Sequence, residues 1–228
     1  IRSEMNNLTE VILNNNKTFH IPDFQRDFVW KSEQAIELFH DFEEDTNNFQ
    51  TETSKLPGYL LGNIVLIDAE DKWLVVDGQQ RLTTLTLMFK ALYEIVKKKA
   101  YDLSSQDHDR WLKRLADLDK GFYNLDDAGE ILGLKITHEP SLPFGDYYKG
   151  LIRDIPDIEP RVQSDENIDD VYNTILEKVQ ELNDSQLFRF IAYLRTKVML
   201  IVTTAPSHSK AFQLFEVLND RGRSLEPL

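Results

Sequence analysis

The residues best suited to chemistry form one short run, Asp77-Gly78-Gln79-Gln80-Arg81, placed where an apolar strand-like stretch gives way to a helical pattern. Two chemistries fit it. In the plainer one Asp77 caps the helix, Gln80 returns the bond as the third helical residue, and Gly78 eases the turn. Arg81 does not belong in that scheme, because a cation is unfavourable at the positive end of a helix dipole. A bound anion reverses the sign: helix N–H groups, the dipole and the guanidinium would then converge on it. Phosphate is the natural occupant, and a carboxylate from elsewhere in the fold would satisfy the same groups.

Two further turns carry an amide beside an arginine. "IPDFQRDFVW" offers Gln25 and Arg26 between Phe24, Phe28 and Trp30, kept extended by Pro22. Alone it reads equally as an aromatic turn with Arg26 paired to a nearby aspartate. "NDRGRSL" offers Asn219, Arg221 and Arg223, or simply a helix stop with solvated charges. Other chemistries find no support. There is no GxxxxGK[ST], no GxGxxG, no HExxH and no serine elbow. The five histidines, His20, His40, His108, His138 and His208, never share metal-site spacing on one helix, so no metal ligand set is expected. The absence of cysteine excludes thiol chemistry and cysteine-bound zinc.

The elements that must position these turns follow from periodicity. "LTEVILNNN" reads as a short helix and "KTFHIP" as a strand stopped by Pro22. Ser32 is the expected N-cap of a helix carrying Ala35, Ile36, Phe39 and Phe42. "YLLGNIVLID" and "KWLVVD" alternate as strands around an acidic turn. From Leu82 an apolar stripe runs through Leu85, Phe89, Leu92 and Val96 to the basic run at 97 to 99, as in a one-faced helix. Beyond residue 101 "DHDRWLKRLADL", "DENIDDVYNTILEKVQEL" and "SQLFRFIAYLRT" read as helices. Between the first two lie turns at Pro140, Pro143, Pro156 and Pro160, with a short strand at "GLKIT". "KVMLIVTT" is a buried strand leading into "SKAFQLFEVLNDRG", a helix expected to close on Asn219 and Gly222.

The bulk numbers suit a single globular unit of 228 residues, 41% hydrophobic and 29% charged. With 26 basic against 39 acidic residues the net charge is −13, which argues against a general polyanion-binding surface and leaves room only for a local basic pocket. The longest apolar run, Val198 to Val202, is too short to cross a membrane, and "IRSEMNNLTE" has no signal-peptide pattern. A cytoplasmic setting is expected. The chain starts without methionine and stops at "RSLEPL", so it reads as a fragment of a longer protein.

"IPDFQRDFVW", "YLLGNIVL", "VVDGQQRLTTL" and "FEVLNDRGRSL", in that order, resemble the N-terminal domain of GmrSD-type restriction systems, also found in SspE-like phosphorothioate-sensing defence proteins. The resemblance runs from about residue 19 to the end, with 101 to 195 matching only in helical character. The family is similar in turn to ParB-type domains, in which two arginine-bearing segments hold a nucleotide. What the resemblance implies is an α/β (α+β) fold: a ParB-like small mixed sheet over residues 17 to 100, a mostly helical section at 101 to 195, and a strand and helix at 196 to 228 returning to the site.

It further implies an NTP-binding, NTP-hydrolysing regulatory domain controlling a DNA endonuclease, with NTP and Mg2+ as cofactors. Gln25, Arg26, Gly78, Arg81, Asn219 and Arg221 would bind phosphate, and Gln79, Gln80 and Asp77 would serve hydrolysis. One arginine stands where the second ParB box usually has two, so a CTP preference does not carry over. The expected partners are the nucleotide, DNA through the full-length protein, a C-terminal nuclease domain absent here, and a second copy of the chain. Two rival functions remain open: a non-catalytic reader of modified DNA backbone, and a ParB-like phosphodiesterase or DNase.

Overall fold

A computed structural model describes residues 1–223, with side chains through Val217. Eight strands and seven α-helices follow one another: β1 (Arg2–Asn7), β2 (Thr18–Ile21), α1 (Ser32–Asp45), β3 (Tyr59–Asp68), β4 (Lys72–Asp77) and α2 (Gln79–Ala100). Then come α3 (His108–Leu118), β5 (Tyr123–Leu125), β6 (Ile131–Leu134), β7 (Ile136–His138), α4 (Phe144–Ile152), α5 (Gln163–Gln180), α6 (Asp184–Thr196), β8 (Val198–Ala205) and α7 (His208–Arg223). The fold is mixed α/β. Six strands make one sheet in the order β1-β8-β3-β4-β2-β7, and β5 pairs with β6 in a separate ribbon.

Direction within the sheet decides where a ligand can sit. β2 runs parallel to β4 and to β7, whereas β3 is antiparallel to β4 and parallel to β8. The carboxyl ends of β2, β4 and β7 therefore share one rim with the beginnings of β3 and β8. Alternation along the strands buries both faces. Ile64, Leu66 and Val75 join the main core, while Val65, Ile67, Val76 and Leu74 meet Ala211, Leu214 and Phe215 of α7.

Several expectations change in the folded chain. α2 is no one-faced surface helix: every residue from Leu82 to Leu92 is buried, because α3 and α5 enclose it. Its one lysine there, Lys90, is neutralised by Glu94 at 2.8 Å and Asp154 at 2.9 Å, as a buried cation must be. α1 starts at Ser32 with Lys31 as its N-cap; the closing bond is Gln34 Oε1 accepting the Lys31 N–H at 2.7 Å. "GLKIT" splits between β6 and β7, which belong to different sheets. α4 occupies part of the proline-rich stretch read as turns: Pro143 sits at its N-cap with φ −61°, compatible with a helix start. α7 continues through Asn219 and Gly222 to Arg223 instead of closing there. Among the described residues no helix is long and apolar enough to cross a membrane.

Candidate anion cradle at the sheet rim

The turn after β4 is fixed by a single glycine. Gly78 has φ +96°, and a Cβ there would lie 2.5 Å from Ile64 Cγ2 and 3.1 Å from the Asn63 carbonyl. Both the left-handed backbone and the close approach of β3 demand glycine. This overturns the capping role for Asp77. Asp77 lies within β4, opposite Val65, and Gly78 is the N-cap with no side-chain cap bond. The first intrahelical bond runs from Leu82 N–H to the Gly78 carbonyl at 3.0 Å, so the N–H groups of Gln79, Gln80 and Arg81 have no intrahelical acceptor. That is the donor set an anion would use.

Arg81 lies back across the start of β3. Its Nη1 donates to the Asn63 carbonyl at 3.1 Å, and its Nε stands 2.6 Å from where a Gly62 Cβ would be. Arg26, in the loop after β2, is exposed. Burial pushes the Asp77 carboxyl pKa up, and Arg81, the Gly78 N–H and Arg26 each pull it back. The contact that ties the two segments is between Gln79 Nε2 and the Arg26 carbonyl, which brings the Arg26 backbone to the start of α2. Neither guanidinium belongs to an ion pair among the described residues. A cavity of about 250 Å³ against Phe19, Leu66 and Trp73 touches none of these residues.

The three glutamines hold the arginine loop rather than project from it. Gln25 Nε2 donates to the Val75 and Val76 carbonyls, each at 2.6 Å, which stitches the loop to β4. Both bonds direct its amide nitrogen at β4. Gln80 is used at both ends: Oε1 accepts from Val29 N–H (3.0 Å) and Trp30 N–H (3.2 Å), and Nε2 donates to the Asp27 carbonyl (3.1 Å). Its oxygen is saturated by two N–H donors, while one of its two amide hydrogens is used. Gln79 differs. Its Nε2 donates to the Arg26 carbonyl, but its Oε1 is buried without a partner.

Sequence reasoning missed three contributors, Gly62, Asn63 and Asn167. Gly62 and the Asn63 carbonyl shape the bed of Arg81, and a lone glycine inside a strand pattern was the available signal. Asn167 Nδ2 on α5 donates to the Phe28 carbonyl at 2.9 Å, anchoring the far side of the loop, and nothing in its local sequence marks it. Phe24 meets Phe212 of α7 with ring centroids 4.9 Å apart, so α7 also borders the loop. The side chains of Asn219 and Arg221 lie outside the described residues. Among those described, no group of three or more His, Asp or Glu is arranged to hold a metal ion. On the neighbouring strands His20 bridges Thr137 (2.8 Å) and Glu139 (3.0 Å), while burial drives the His138 pKa down to about 3.

No curated protein matches the chain. A family model described as "GmrSD restriction endonuclease, N-terminal domain" matches residues 9–228, nearly the whole length. The chain therefore belongs to the GmrSD restriction endonuclease N-terminal domain family.

Proposed function

We propose that this domain binds a nucleoside triphosphate at the β2–β4 rim and hydrolyses it, as the regulatory part of a restriction protein whose nuclease lies in a further domain. The observation that carries the reading is that three helix N–H groups lack intrahelical acceptors at the turn where Gln79 holds the Arg26 carbonyl and Arg81 lies across β3. Phosphate oxygens there gain two cations and the positive end of α2. Ligands commonly bind at the carboxyl ends of parallel strands in α/β sheets.

The chemistry follows from what each group can still do. Arg81 and Arg26 neutralise the polyphosphate, and Gln25, Gln80 and Asn167 keep the loop in place. Gln79 Oε1, the unpartnered acceptor, orients the attacking water by accepting one of its hydrogens. Asp77, half-buried at the end of β4, is the carboxylate next to the cradle. A magnesium ion would be carried chiefly by the phosphates, with Asp77 reaching it through water; the ion would supply charge neutralisation. The exposed Arg26 also suits a DNA backbone phosphate, which keeps the reader function as the second reading.

Thermal shift with each of the four NTPs, with and without Mg2+, tests binding, and phosphate release from the full-length protein tests hydrolysis. At a ligand concentration of about 100 Kd the stabilisation should be about 2.7 kcal/mol, or about 5–10 °C for a chain of this size. A shift without phosphate release selects the reader. Absence of any shift with NTPs or with inorganic triphosphate contradicts the anion cradle itself.

A further inference from the structure

A second site lies away from the arginines. A cavity of about 430 Å³ opens between the start of α4, the loop at 153–162 and the first turn of α5. Its lining sets four carboxylates, Asp146, Asp157, Glu159 and Asp165, against one cation, Arg161. A ring of exposed acids alone would be a solvated surface. Asp165 makes the difference.

Asp165 is only 3% exposed. Its Oδ2 accepts the backbone N–H groups of Arg161 (2.9 Å) and Val162 (3.3 Å), which closes the start of α5. Its Oδ1 is buried and has no hydrogen-bond partner. A carboxylate oxygen removed from water without a donor is costly, and native folds rarely leave one so. A donor from outside the described side chains, water or a ligand, would satisfy it, and three further carboxylates around the same space favour a positively charged ligand.

The chemistry of the walls narrows the class. The carboxylates form no metal-holding group, which disfavours a compact dication. Tyr147 has its hydroxyl committed to Asp169 at 2.8 Å and so offers only its ring, with Ile158 as a second apolar surface. Separated charges joined by apolar wall match a molecule of ammonium groups joined by methylenes. We infer that this cavity binds a polyamine-type alkylammonium cation, with one ammonium donating to Asp165 Oδ1 and the others facing Asp157 and Glu159. Arg161 is exposed, lines the cavity and makes no ion pair among the described residues, so its charge opposes an entering cation. Two residues along α5, Asn167 grips the arginine loop, so the cation would sit beside one of that loop's anchors.

Calorimetric titration of the 228-residue chain with spermidine tests the assignment, with Mg2+ at matched ionic strength and a lysine-bearing peptide as the other arms. Spermidine should saturate one site. Asp165→Asn should weaken it about tenfold or more, and the doubly substituted Asp157→Asn/Glu159→Gln, at exposed positions that leave folding intact, about 3- to 10-fold. Arg161→Ala should tighten binding by removing a like charge from the cavity wall. The inference is overturned if spermidine gives no saturable heat, if the exposed double substitution and Arg161→Ala both leave its affinity unchanged, or if Mg2+ displaces it at equal ionic strength. Binding of the lysine peptide without binding of spermidine overturns the polyamine source.

Discussion

Replacing Gln80 with alanine should loosen the arginine loop before it affects any chemistry. The side chain makes three hydrogen bonds to the 27–30 backbone, at 3.0, 3.2 and 3.1 Å. Each is worth about 0.5–1.5 kcal/mol net, and the two orphaned N–H groups add to the loss unless water reaches them. Val29 is exposed and Trp30 half-buried, so water supplies part of the replacement and the total should be about 2–4 kcal/mol. For a chain of this length that lowers the melting temperature by about 5–15 °C. Urea and thermal melts measure it, and limited proteolysis between Arg26 and Trp30 should show the loop cut faster. Gln79→Ala removes one bond to the Arg26 carbonyl and an unpartnered oxygen, so it should lower stability by about 1 kcal/mol at most. The reasoning fails if Gln80→Ala melts and resists protease like the native chain while losing turnover, because Gln80 would then act on water.

Asp77→Asn should stabilise the protein at neutral pH and tighten triphosphate binding. Burial raises the Asp77 pKa above 3.8, so its favourable contribution exists at acid pH and is lost as pH rises through the raised value; the gain in melts should shrink toward pH 3.8, and a pH-independent gain refutes the cause. Gly62→Ala places a Cβ 2.6 Å from Arg81 Nε at a φ of +156°, so it should displace the guanidinium, lowering triphosphate affinity about tenfold, and cost about 1–3 kcal/mol of stability in backbone strain; unchanged affinity would show that Arg81 makes no ligand contact. His138 keeps some surface, yet its Nε2 is buried and unpartnered and its pKa falls from 6.5 to about 3. The unfolded chain therefore binds this proton first, and stability should fall between pH 6.5 and 3, by about 2 kcal/mol at pH 5, a loss that His138→Leu should remove from the acid limb of the melting profile.

What the sequence made legible was whatever rests on local pattern. β3, β4 and β8 alternate or run apolar, and α2 begins at the predicted junction because Gly78 breaks the strand there. β1 was illegible: RSEMNN carries little apolar residue, as befits an edge strand paired on one side only to β8. α4 was hidden by the prolines around it, although Phe144, Tyr147, Tyr148 and Ile152 form its buried stripe. The setting of each arginine beside an amide was plain in the sequence. The work of those amides was not, since Gln25 and Gln80 bond carbonyls and N–H groups about 50 residues away, brought near only by β2 pairing with β4. The Asp77 cap failed for a related reason. The helix start is set by how closely β3 passes Gly78, a contact between strands that no local motif records.

The central claim is that Arg26 and Arg81 hold one anion together. Its most direct test is a double-substitution cycle, measuring the affinity of the preferred NTP and of inorganic triphosphate for the native chain, Arg26→Ala, Arg81→Ala and both. Each single change should cost about 1.5–3 kcal/mol of binding, about 10- to 150-fold in Kd, with the unliganded melting temperature nearly unchanged. The double variant should lose less than the sum, because the two guanidiniums share one ligand. Affinity that survives both substitutions, or a sharp fall in unliganded melting with the ligand response intact, would contradict the account.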